Sequence, residues 1–98
     1  MLKYTLNREQ FHTLEALAAW NADKAYMIEK WGHDEPELQK VHENIVSLFP
    51  VLDRQGVPMW LQNVVLAFSN DWRREKSRYL SSYLETVGGY EIRIDWRA

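Results

Sequence analysis

The two ends of this chain alternate, and the long middle does not. Residues 90–96 put Tyr90, Ile92, Ile94 and Trp96 on one side of an extended backbone and Glu91, Arg93 and Asp95 on the other. Residues 2–6 repeat the pattern, with Leu2, Tyr4 and Leu6 set against Lys3 and Thr5. A period of two is the signature of a half-buried strand. With a strand at each end and helical periodicity between, the two strands are expected to pair with each other beside the helices. A lone two-stranded ribbon leaves both outer edges unpaired, open to another strand or a second copy. The segment carrying Tyr90, Ile92, Ile94 and Trp96 is therefore a candidate self-association edge.

The middle divides into helices by its start and stop signals. Asn7 can accept a hydrogen bond from a first-turn amide while Gln10 reaches back, and Leu6 and Phe11 have the spacing of a hydrophobic staple. Phe11, Leu14, Ala18, Ala25 and Ile28 continue a spacing of three and four, and Leu17, Trp20, Met27 and Trp31 widen that stripe. This predicts a helix from Arg8 to Trp31, stopped at Gly32. A second helix opens with Asp34 as cap and Pro36 in its first turn. Leu38, Val41, Ile45, Leu48 and Leu52 form its stripe, and Pro50 should end it near Phe49, leaving a short helical turn from Pro50 to Arg54. The short connection implies that these two helices pack antiparallel. Gly56 breaks the chain again and Pro58 opens a third helix. Run without interruption to Thr86, that helix would measure about 44 Å. It either projects beyond the body or breaks near Ser69, Asn70 and Asp71. Gly88 and Gly89 then lead into the last strand. The expected architecture is α+β, a three-helix bundle of antiparallel helices with a small terminal two-stranded sheet, in the order β-α-α-α-β.

A chain of 98 residues is one domain, residues 1–98, with a modest core. Its 46% hydrophobic and 27% charged residues are those of an ordinary globular protein. No cysteine is present, which excludes disulfides, thiolate zinc sites and a cysteine nucleophile and fits the cytoplasm. The opening residues hold no apolar run of signal-peptide length, and the longest apolar run, residues 64–68, is far short of a membrane span. No membrane association is expected. The unusual count is aromatic: five Trp, five Tyr and three Phe. A small core buries some of these, and Trp and Tyr left exposed are the residue types of binding hot spots.

Nothing in the chain spells out catalysis or metal binding. His12, His33 and His42 are scattered, without the i, i+4 spacing of a helical metal site. Asp34, Glu35, Glu37 and Glu43 cluster where a helix dipole favours negative charge, a simpler reason than acid–base chemistry. There is no phosphate loop and no G-x-S-x-G serine. No catalytic residue, no metal and no cofactor is assigned, and an enzyme is not expected. An enzyme would need a pocket in which His33 or His42 meets carboxylates.

The stretch with functional character is residues 70–85. Arg73, Arg74, Lys76 and Arg78 lie beside Trp72, Tyr79 and Tyr83, while the chain as a whole carries a net charge of −2. One reading is a solvated helix face with internal ion pairs and Trp72 as its anchor. Another is a protein-binding face of Trp72, Arg73, Arg74, Arg78 and Tyr79, since planar donors and large rigid rings are what hot spots use. The third is nucleic-acid binding, with arginines on phosphates and rings stacked on bases. The sequence pI of about 5.9 and the missing second wing strand of a winged helix count against it. The expectation is a non-enzymatic protein-binding module (a regulator, inhibitor, immunity-type protein or adaptor) whose partner is acidic or aromatic. The alternative is a nucleic-acid-binding regulator using the same face.

Overall fold

The computed structural model describes residues 2–72, 79–87 and 89–97. The elements follow in the order β1 (Leu2–Asn7), α1 (Arg8–Trp31), α2 (Glu37–Arg54), α3 (Met59–Trp72), α4 (Leu80–Thr86) and β2 (Tyr90–Asp95). The architecture is α+β as expected, with four helices among the described residues where the sequence suggested three.

Strand passes into helix at Asn7 without a loop. The Asn7 side chain accepts from the Gln10 amide at 2.7 Å, and Gln10 Oε1 accepts from the Asn7 amide at 2.9 Å, a reciprocal capping box. The Gln10 side chain also donates through Nε2 to the Gln55 carbonyl at 2.7 Å, fastening the start of α1 to the turn after α2. Toward the other end of α1, Lys24 Nζ lies 3.1 Å from His42 Nδ1. Contacts that pair 10 with 55 and 24 with 42 run in opposite order along the two helices, so α1 and α2 are antiparallel. Gly32 ends α1 at φ 83°, ψ −178°, a region essentially closed to residues with a side chain.

The second helix departs from expectation at both ends. Asp34 does not cap it. Pro36 occupies the cap position with helical dihedrals, the Glu35 side chain reaches the Glu37 amide, and Asp34 stands too far back to do so. Nor does α2 end at Phe49, because it continues through Pro50 to Arg54. Pro50 and Val46 are both on the solvent side. The ring and the carbonyl it deprives of a donor therefore face water, the side on which helices around a core are normally convex. The helix then closes in a Schellman motif: Val57 N–H donates to Leu52 O at 3.0 Å and Gly56 N–H to Asp53 O at 3.1 Å. Gly56 has φ 79°, and the buried pair Leu52 and Val57 supplies the accompanying apolar contact.

The third helix does not break at residues 69–71. Ser69 and Asn70 are helical and serve the packing against α1, so they are not a new cap: Asn21 Nδ2 donates to Ser69 Oγ at 2.5 Å and to Asn70 Oδ1 at 3.0 Å. The interruption falls later. Tyr79 is extended (φ −91°, ψ 146°) and stands as the N-cap residue of a separate α4.

The ribbon is parallel, with Leu2 opposite Tyr90, Tyr4 opposite Ile92 and Leu6 opposite Ile94. Parallel neighbours need a crossover, and the four helices are that crossover. The face bearing Leu6 and Ile92 closes the core against Phe11, Leu14, Leu17, Leu52, Leu61, Val65, Leu80 and Leu84. The opposite face bears Lys3, Glu91, Thr5 and Arg93 and meets solvent, with Lys3 and Glu91 paired at 3.8 Å. Trp96 lies beyond the strand, contrary to the alternation, and packs edge-to-face on Phe11 at 5.1 Å. Its strand partner would have been residue 8, which already belongs to α1. The body measures 40 × 28 × 22 Å, its long axis matching the roughly 36 Å of a 24-residue helix.

Candidate docking face at the α3–α4 junction

The last turn of α3 and the first of α4 are held together by rings. Phe68, buried on α3, lies 5.4 Å from Trp72 and 4.6 Å from Tyr83 of α4. Trp72 is half-buried, so the indole contributes to packing and keeps part of its surface at the boundary with solvent. Leu80 and Leu84 bury the inner side of α4 beneath these rings. Tyr79 points the other way and is 74% exposed, the most exposed large apolar side chain described. Of the five residues proposed from sequence, Trp72 and Tyr79 thus flank the cationic segment as one packed and one open ring. Arg73, Arg74 and Arg78 lie outside the described residues.

The candidate self-association edge spans β2 and the turn after it. The Tyr90 and Ile92 side chains are committed to the interior: Tyr90 stacks on Trp60 at 4.7 Å, with the rings 5° from parallel, and Ile92 is buried. Ile94 is half-buried, and Trp96 is 50% exposed but outside the strand. Among the described residues no further strand pairs with β2.

A cleft of about 410 Å³ opens where α1 turns into α2, lined by Lys24, Ile28, His33, Asp34, Leu38 and His42 among others. His33 and His42 share this lining with the carboxylates of Asp34 and Glu35, the residue types an enzymatic site in this chain would need. His42 Nδ1 also lies 3.1 Å from Lys24 Nζ. Among the described residues, His12 Nδ1 lies 3.4 Å from Glu15 on an exposed stretch of α1 away from the cleft. Among the described residues no group of three or more His, Asp or Glu is placed to hold a metal ion.

Two features escape the periodicity. Trp20 and Trp31, which widen the apolar stripe on paper, are 37% and 55% exposed. Every buried residue of α1 lies between Gln10 and Ala22, so its last turns are the less covered part of the helix. Trp31 there meets Tyr26 edge-on at 5.9 Å, with Lys30 Nζ 5.6 Å and 5.8 Å from the two ring centres. The second feature is Gln62, wholly buried, whose Nε2 donates to Val57 O at 3.0 Å and to Asp53 Oδ1 at 3.2 Å. Among the described atoms its Oε1 has no partner. Only its position on the inner side of α3 could have singled it out in the sequence.

No family model, no curated protein and no solved structure matches this chain.

Proposed function

We propose that the protein is a non-enzymatic binding module. It docks a partner protein through the α3–α4 junction, with Trp72, Arg73, Arg74, Arg78 and Tyr79 as the contact residues, and acts in the cytoplasm as a regulator, inhibitor or adaptor by covering part of its partner. The observation that carries this reading is Tyr79, a tyrosine held open to solvent at the start of a helix whose other aromatic, Tyr83, is packed on Phe68. A ring presented from a fixed helix end loses little conformational freedom on binding. The adjoining arginines suit an acidic or aromatic partner surface through bidentate and cation–π contacts. No described helix is long and apolar enough to cross a membrane.

Tyr79→Ser and the pair Arg73→Ala with Arg74→Ala test this. Serine is a preferred N-cap residue, so Tyr79→Ser removes the ring while favouring α4. Affinity capture from the source cell should retain a defined partner on the wild-type protein, and each variant should weaken that binding at least about tenfold. Undiminished capture by both variants removes the reading. The same capture at two salt concentrations separates the nucleic-acid alternative, because phosphate contacts release counterions and lose affinity steeply with added salt.

A further inference from the structure

The outer edge of β2 is an unfinished sheet. In a two-stranded parallel ribbon, half of each strand's N–H and C=O groups point away from the partner strand. Among the described residues, the backbone of β2 makes one hydrogen bond outside the ribbon, Tyr90 N–H to Val87 O at 3.3 Å. Among the described residues no backbone hydrogen bond joins the outward groups from Glu91 to Asp95 to another part of the chain. Parallel strands normally lie inside larger sheets with both faces covered, and an isolated pair is marginal. This pair has one exposed face, and among the described residues no further strand pairs with either of its edges.

We propose that β2 pairs antiparallel with β2 of a second copy about a two-fold axis through Ile92, making a four-stranded sheet β1-β2-β2-β1. The sequence of the strand selects both the occupant and the register. Directly opposed residues must share a face, so the axis has to pass through a residue and not between two. With the axis on Ile92, Glu91 stands opposite Arg93 of the second copy and Arg93 opposite its Glu91, and Tyr90 meets Ile94 on the inner face. All five opposed positions, 90–94, lie within the strand. An axis on Arg93 sets arginine against arginine and Glu91 against Asp95. An axis on Glu91 sets glutamate against glutamate. An axis on Ile94 draws in Trp96 and Arg97, which have left the strand for a turn in which Arg97 N–H donates to Asp95. The edge of β1 offers no such preference, since Lys3 would face Thr5, Asn7 or another lysine. The ion pairs are exposed, and they choose the register more than they supply affinity. Within one copy Glu91 is shared between Lys3 at 3.8 Å and Arg93 at 3.4 Å, so the carboxylate already sits on the outer face where the second copy's arginine would arrive. This surface is independent of the α3–α4 junction.

Charge exchange tests the register. Sedimentation of the wild-type protein from about 1 µM to about 1 mM should show a concentration-dependent dimer. Glu91→Arg and Arg93→Glu should each be monomeric over the same range, because each sets like charges opposite one another. Glu91→Arg combined with Arg93→Glu should restore the dimer, and an equimolar mixture of the two single variants should form the heterodimer. Circular dichroism checks that each variant folds. Should Glu91→Arg unfold, Arg93→Glu, whose side chain is 78% exposed, decides alone: a monomer against a dimeric wild type supports the pairing, and a dimer overturns it. A wild type that stays monomeric throughout, single variants that dimerise as it does, or a double variant that stays monomeric would each overturn the proposal.

Discussion

At the scale of single residues, glutamine does the joining in this protein. Gln10 serves two structures at once, since its Oε1 closes the capping box with Asn7 and its Nε2 holds the carbonyl of Gln55. Asn7→Ala removes a cap side chain, for which a loss of about 1 kcal/mol is expected. Gln10→Ala removes the other half of the box and a part-buried tertiary bond together, so urea unfolding should show a loss about twice that of Asn7→Ala. Equal losses would mean that the bond to Gln55 contributes nothing. Gln62 is the more costly residue to alter. Its side chain is enclosed and supplies the donor for Val57 O in the turn between α2 and α3. Gln62→Ala leaves that carbonyl short of a donor and opens a cavity, and should lower stability by about 2–4 kcal/mol in the same measurement.

At the scale of elements, the start and stop signals of α1 were legible, while the cap of α2 and the interruptions were not. The bounds of α1 follow from Asn7, Gln10 and Gly32, because caps are local chemistry that acts wherever the helix lies. Pro50 misled for the converse reason. The cost of a proline within a helix depends on which side of the helix it occupies, and that side is defined only by packing. Pro50→Ala should therefore raise the unfolding free energy by about 1–3 kcal/mol, somewhat less than the full penalty of a helix-interior proline, because the freer unfolded chain offsets part of the gain. A loss on the same substitution would mean that the proline-shaped course of α2 is required for its packing. Ser69 and Asn70 are polar enough to read as a new helix start, yet they are occupied with Asn21 across the interface with α1. A polar residue whose partner is nearly fifty positions away gives no local sign of it.

At the scale of the whole molecule, the ribbon joins Leu2 to Tyr90 and so ties the two ends of the chain. Pairing over that separation is entropically the last thing such a chain can afford, whereas α1 against α2 needs only a short loop. Leu6→Ala and Ile92→Ala, both at buried ribbon positions, are each expected to cost about 2–5 kcal/mol. Most of that loss should appear as faster unfolding, with folding rates nearly unchanged in stopped-flow chevrons. A matching slowdown of folding would place the ribbon in the transition state.

The α+β class, a strand at each end with helices between, and the caps of α1 were determined by the sequence alone, because periodicity, capping and glycine conformations act over a few residues. The candidate docking face was partly legible in the same way: clustered Arg, Trp and Tyr could be seen in the sequence, but not that Trp72 would lean on Phe68 while Tyr79 stayed open. Tertiary structure decided which aromatics face water, the parallel direction of the ribbon and the course of α2 through Pro50. Each of these depends on which surfaces meet across tens of residues, and the chain has no local means of encoding that.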